Sequence, residues 1–224
     1  MKKEIKKLVV AGIMVLFTTI AFSAIKNINL VKNGDFINWS SYKITNMEIT
    51  PKLPAGKIPT GWMVDQSAYE QAKTPHFKIE GLIAPDTEIT HNSKISLKIE
   101  NGLKTDITES VQYINNIKPY TSYKISCWIK GKNIQLNLND GAGAIVWFNW
   151  GPGKNFWSHQ HYTARVPKKF KGSFRWNKFS FIVDTGANAG AATIALQLRR
   201  AKGTVWYDDV KVVPIGKIVP VKSF

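Results

Sequence analysis

The residues with the most evident chemistry lie between positions 144 and 162, AIVWFNWGPGKNFWSHQHY. Trp147, Phe148, Trp150, Phe156, Trp157 and Tyr162 crowd this stretch, with His159 and His161 among the last of them. Three of the chain's eight tryptophans fall here. The first half alternates like a strand, and Gly151-Pro152-Gly153 then turns the chain into a loop. Loop tips face water and are usually polar, so large rings there point to a ligand with flat apolar faces or to packing over one end of a sheet. His159 and His161 are two apart and can share a strand face. A transition-metal centre needs a third ligand, and none is evident. Cys127 is the only cysteine and sits among Tyr123, Ile125 and Ile129, so it reads as a small buried hydrophobe rather than a nucleophile.

The elements that must carry these residues are strands. Apolar residues recur with period two almost everywhere, and Gly, Asn, Asp and Pro separate the runs. Strands are expected over residues 28–32, 62–65, 76–80, 94–100, 110–114, 122–130, 134–139, 144–150, 161–166, 175–183, 193–199 and 204–213. The expected fold is all-β, a β-sandwich or jelly roll of two antiparallel sheets. Residues 43–60 form the longest irregular piece, and Gly141-Ala142-Gly143 reads as a hairpin turn.

The first 23 residues read as a signal peptide. Lysines at 2, 3, 6 and 7 precede an apolar run over 8–20, and Ala21-Phe22-Ser23 supplies small residues for cleavage. The run is short against the roughly 20 apolar residues of a membrane span, so cleavage without stable membrane insertion is expected. The product is a secreted, periplasmic or cell-surface protein. Residues 24–213 then form one domain and 214–224 a short tail. The whole chain carries a net charge of +16. Its lysines are scattered rather than massed, which speaks for a solvated basic surface, with an attraction to acidic glycans or an anionic cell surface second, and against nucleic acid.

Three segments in order resemble one family. Leu30-Val31-Lys32-Asn33-Gly34-Asp35-Phe36 with Gly61-Trp62 resembles the opening of carbohydrate-binding modules of the family 4/9/22 group. Lys118-Pro119 with residues 123–130, YKISCWIK, resembles their central strand, and residues 203–212, GTVWYDDVKV, their closing strand. The resemblance implies a galactose-binding-like jelly roll and non-catalytic binding of a poly- or oligosaccharide, often beside a glycoside hydrolase. It also implies a structural calcium where the opening and closing strands meet. The family's acidic residue after the Phe is Ile37 here, so Asn33, Asp35 and Asp208 are the candidate ligands.

Sugars bind through rings that stack on their CH faces and through amides, Arg or carboxylates that grip hydroxyls. Strand alternation places Trp128, Gln135, Asn137, Asn139, Gln197 and Arg199 away from the core, and the expectation is that one sheet presents them together. The resemblance adds Phe156 and Trp157 as cleft aromatics and a polar cleft residue at Gln197. Trp147 and Trp150 should point to opposite faces. Trp62, Trp176 and Trp206 read as core or rim packing. Paired carboxylates could instead hydrolyse glycosides. Glu100, Asp106, Glu109 and Asp140 are the candidates, with no spacing that picks a pair. A small glycoside hydrolase or lyase, and an envelope adhesion or structural protein, are the alternative readings.

Overall fold

The computed structural model describes residues 28–41, 56–63, 81–104, 106–137, 142–153, 161–164 and 170–218. Its strands are β1 (Trp39–Ser41), β2 (Lys57–Pro59), β3 (Leu82–Asp86), β4 (Ser96–Asn101), β5 (Ile107–Asn115), β6 (Thr121–Leu136), β7 (Gly143–Gly151), β8 (His161–Ala164), β9 (Gly172–Asp184), β10 (Ala191–Arg199) and β11 (Ala201–Lys217). They form a five-stranded sheet in the order β3-β4-β11-β6-β9, a four-stranded sheet β5-β10-β7-β8, and a small β1-β2 ribbon, with every pairing antiparallel. The expected two-sheet sandwich is therefore the fold.

Period-two alternation builds the core. On the four-stranded sheet Val146, Phe148, Ile194, Leu196 and Leu198 face inward with no exposed surface. Tyr123, Ile125, Cys127, Ile129, Val205 and Tyr207 oppose them from the five-stranded sheet, all at most 1% exposed. Trp150 packs against this core, whereas Trp147 points outward, as alternation requires. Burial pushes the Cys127 thiol well above its ordinary range, in keeping with an inert core residue.

Bulges reset the alternation at two places. In β6 the register shifts around Gly131 and Asn133, the latter at φ 53°, so odd-numbered residues face the core before the bulge and Ile134 does so after it. In β11 a shift between Asp208 and Lys211, with Asp209 at φ 52°, passes the inward role from Val205 and Tyr207 to Val210 and Val212. The two expected strands 122–130 and 134–139 are thus one strand through Leu136. Gly143 opens β7, in the other sheet from β6, so this glycine stretch links the sheets and is not a hairpin turn. β11 also continues past Val213, pairing Pro214 with Tyr123 and Lys217 with Thr121.

The opening segment lies along the end of β11. Leu30 N donates to Val212 O (2.9 Å), and Val210 N donates to Gly34 O (2.8 Å). A Cβ on Gly34 would sit 2.2 Å from Val210 O, so only glycine fits this contact. Phe36 is fully buried, with its ring 5.4 Å from that of Trp62. The expected strand at 28–32 is irregular and leads into a turn, and of the expected strand 62–65 the described part holds an isolated bridge from Met63 to Val111, with 64 and 65 outside the described residues. The expected strand 76–80 lies outside the described residues.

Candidate binding face

The register places three rows on the outer face of the four-stranded sheet. Glu109, Gln197 and Ile145 form one row, Val111, Ala195 and Trp147 the next, and Tyr113, Thr193 and Asn149 the third. The central strand β10 contributes only Ala195 and Ala191 around Thr193, so rings from its neighbours can lie over it. Trp147 is partly buried, and Arg199 Cζ stands 5.2 Å from its ring centroid, a cation–π contact.

The polar residues on this face are almost fully buried: Glu109, Gln197, Thr193 and Asn149 are 1–7% exposed. A sheet face covered merely for stability would be apolar, because burying polar groups costs free energy unless each finds a partner. Gln197 Nε2 donates to Glu109, a neutral-to-carboxylate contact across β10 and β5. Gln197 Oε1 is buried with no hydrogen-bond partner among the described residues.

Tyr207 fixes this row from behind. It crosses the core from β11, and its hydroxyl lies 2.6 Å from Gln197 O, 3.0 Å from Ile145 O and 3.1 Å from Ile145 N, donating to a carbonyl and accepting from the amide. Burial pushes its phenol well above the ordinary value, so it stays a neutral donor.

The expected site residues divide between the two outer faces. Gln197 and Arg199 lie on the four-stranded sheet, whereas Trp128 and Gln135 lie on the five-stranded sheet. The reading that one sheet presents them together is corrected by this. The cause is the pairing: β10 sits between β5 and β7, and β6 between β11 and β9. One face of Trp128 is moreover covered, since the His91 ring stacks on it at 3.7 Å and 22°. Asn137 follows β6, and its amide donates to Arg200 O (2.9 Å) at the β10–β11 turn. Asn139, Phe156, Trp157 and His159 lie outside the described residues, as does Asp140; His161 begins β8. Sequence reasoning missed Tyr113, Asn149 and Thr193, considered Glu109 only as a carboxylate for hydrolysis, and left Trp147 without a role. Trp147 was recoverable from alternation; the other four needed the strand order.

The carboxylates considered for hydrolysis are dispersed. Glu100 pairs with Lys98 at 2.9 Å on the five-stranded sheet, Asp106 accepts from Leu103 N at 2.8 Å, and Glu109 holds Gln197. Among the described residues no acid–base pair results.

Two of the three expected calcium ligands, Asp208 and Asn33, are engaged elsewhere. Asp208 is fully buried and accepts from His91 N (2.9 Å), Asn92 N (3.3 Å), Ser93 Oγ (2.8 Å) and Asp209 N (2.7 Å). It caps the loop after β3. Asn33 is spent at both ends of its amide, donating to Asn38 O and Thr60 O and accepting from Asn38 N. Asp35 is exposed. These side chains do not fit the expected calcium centre.

No known family profile matches the chain, and no curated protein matches it in sequence. Among solved structures it is similar to the enzymatically active domain of tailspike protein 4 of Bacteriophage CBA120, with a TM-score of 0.50 and 13% identity over 84% of this chain. The match spans 22% of that longer chain. A structure described as "CBM4 structure and function" gives a TM-score of 0.49 at 14% identity, covering 83% of this chain and 99% of that one. The CBM22-1 xylan-binding domain from Paenibacillus barcinonensis Xyn10C gives 0.46 at 10%, covering 84% and 96%. The likeness to the tailspike domain is one of fold alone.

Proposed function

We propose that the chain is a non-catalytic carbohydrate-binding module that holds a poly- or oligosaccharide against the outer face of the four-stranded sheet. The observation that carries this reading is Trp147, with Arg199 over its ring, beside a buried polar row that contains an unpartnered amide oxygen. A sugar ring stacks its CH face on Trp147. Its hydroxyls bond to the Arg199 guanidinium, while Glu109 keeps the buried Gln197 amide oriented beneath the ring. The β7–β8 connection begins and ends in this same sheet, which supports assigning Phe156 and Trp157 to the same glycan rather than to the Trp128 side. Export through a cleaved signal peptide, and association with a glycoside hydrolase or a cell surface, belong to the same proposal.

Affinity electrophoresis through gels containing β-glucans, xylans, mannans or acidic glycans tests it. Retardation by at least one neutral polysaccharide is expected, and Trp147→Ala should abolish or weaken it. Mobility unaltered by every polysaccharide would refute the proposal. Release of reducing ends from the retarding glycan would replace it with the hydrolase reading. N-terminal sequencing of exported protein tests cleavage after residue 23 or 24, and an intact Met1 would oppose it.

A further inference from the structure

The other outer face carries a separate concentration of unpaired positive charge. Lys130 and Lys132 of β6 and Arg175 of β9 surround an open pocket of about 610 Å³, which also meets Phe174, Trp206 and Glu88. That volume falls within the range of small-molecule sites, roughly 300–1,000 Å³. Among the described residues two surface lysines have carboxylates, Lys98 with Glu100 at 2.9 Å and Lys211 with Asp209 at 2.7 Å. Among the described residues, none of the three pocket cations has one.

The walls are held by the backbone. Phe174, paired with Gly131 across the bulge, packs on Phe170 at the core edge (centroids 5.3 Å apart), and only glycine at 131 leaves room for its ring, since a Cβ there would stand 2.3 Å from it. The bulge is clamped to β9: Asn133 N donates to Ser173 Oγ (2.9 Å), and Ser173 Oγ donates to Asn133 Oδ1 (3.1 Å). Trp206 is immobilised by donation from Nε1 to Asp86 Oδ2 (2.8 Å). The other Asp86 oxygen accepts from the amides of Glu88 and Ile89, both at 2.9 Å. Asp86, half-buried at the end of β3, is therefore committed to the loop and to Trp206.

We infer that this pocket is a second binding site, for a sugar residue that bears a carboxylate. Lys130, Lys132 and Arg175 engage the carboxylate through charge-assisted hydrogen bonds. The aromatic wall meets the ring, and Glu88 accepts from a hydroxyl. A bare polyanion such as nucleic acid offers Glu88 no such donor along its phosphates, and a discrete pocket does not track a charged backbone. The site is independent of the Trp147 face, which lies on the opposite side of the sandwich.

Isothermal titration with trigalacturonate tests this, with its methyl ester, a sulfated oligosaccharide and a single-stranded DNA of matched charge as comparisons. Trigalacturonate should bind, weaken with added salt and lose affinity on esterification. Lys132→Gln and Arg175→Gln, both at exposed positions, should each weaken it about tenfold, the loss of one charge-assisted hydrogen bond. Trp147→Ala should leave it unchanged. No binding of trigalacturonate, equal binding of ester and acid, or a matching affinity for the DNA would overturn the inference. Tighter binding of the sulfated sugar would overturn the assignment to a carboxylate. Loss of binding in Trp147→Ala alone would place the acid on the first face and leave no second site.

Discussion

Trp147 and Phe148 are neighbours in sequence and point to opposite sides of β7, which makes them a matched pair for separating binding from stability. Phe148 is fully buried in the core. Its replacement by alanine should cost about 3–5 kcal/mol, and at roughly 2–4 °C per kcal/mol for a domain of this size the melting temperature should fall by about 6–20 °C. Trp147 lies outside the core and is partly exposed, so Trp147→Ala should cost about 1 kcal/mol or less. In binding, the order reverses. Losing the stacking ring removes about 0.5–1.5 kcal/mol, or roughly 2- to 13-fold in Kd; the Arg199 contact lies within the free protein as well, so its loss counts toward stability and not toward binding. Calorimetric melting and quantitative affinity electrophoresis, run on both variants, supply the readouts. A Trp147→Ala protein that melts as early as Phe148→Ala while binding its glycan normally would refute the assignment of this face.

Tyr207→Phe leaves carbonyls of Gln197 and Ile145 short of a buried donor, so it should cost about 1–3 kcal/mol in chemical denaturation and weaken glycan binding; unchanged binding would show that Tyr207 does not position the row. Asp208→Ala strands the loop donors at His91, Asn92 and Ser93 and should cost about 3 kcal/mol or more, whereas a chelator should leave the wild-type melting temperature unmoved, because a metal bound only to the folded state would raise it. Asp86 supplies a pH signature. Partial burial pushes its carboxyl up, but hydrogen bonds from Ile89, Trp206 and Glu88 together with the charge of Lys98 outweigh this and hold it below its ordinary 3.8. The resulting stabilisation is present above that ordinary value and is lost as pH falls through the lowered one. The stability gap between wild type and Asp86→Asn should therefore be full near neutrality and close in acid, as measured by urea titration across pH; a gap independent of pH would contradict the ion's role.

Much of the sandwich was legible because alternation is a local property. The runs at 122–130 and 193–199 showed inward and outward sides correctly, and the run at 144–150 showed that Trp147 and Trp150 take opposite faces. Reading failed where the backbone broke its own rhythm. Gly131-Lys132-Asn133 has the composition of a turn, yet it is a bulge that leaves β6 in one sheet. β3 was missed because Pro85 interrupts its pattern, a residue tolerated there since β3 is an edge strand. The closing motif showed two adjacent aspartates without showing that one is buried under a loop and the other paired with Lys211.

The candidate site marks the same boundary. Period two alone determined that Trp128, Gln135, Gln197 and Arg199 all point away from a core, and that Trp147 and Trp150 cannot both face one side. Which outward residues share a surface depends on which strands hydrogen-bond to one another, a matter of long-range pairing that no local pattern encodes. The placement of β10 between β5 and β7 joined Gln197 to Glu109 and Trp147 and separated it from Trp128. The stretch from 144 to 162 stood out by its aromatic composition; only the tertiary structure decided that Trp147 stands beside a buried polar row.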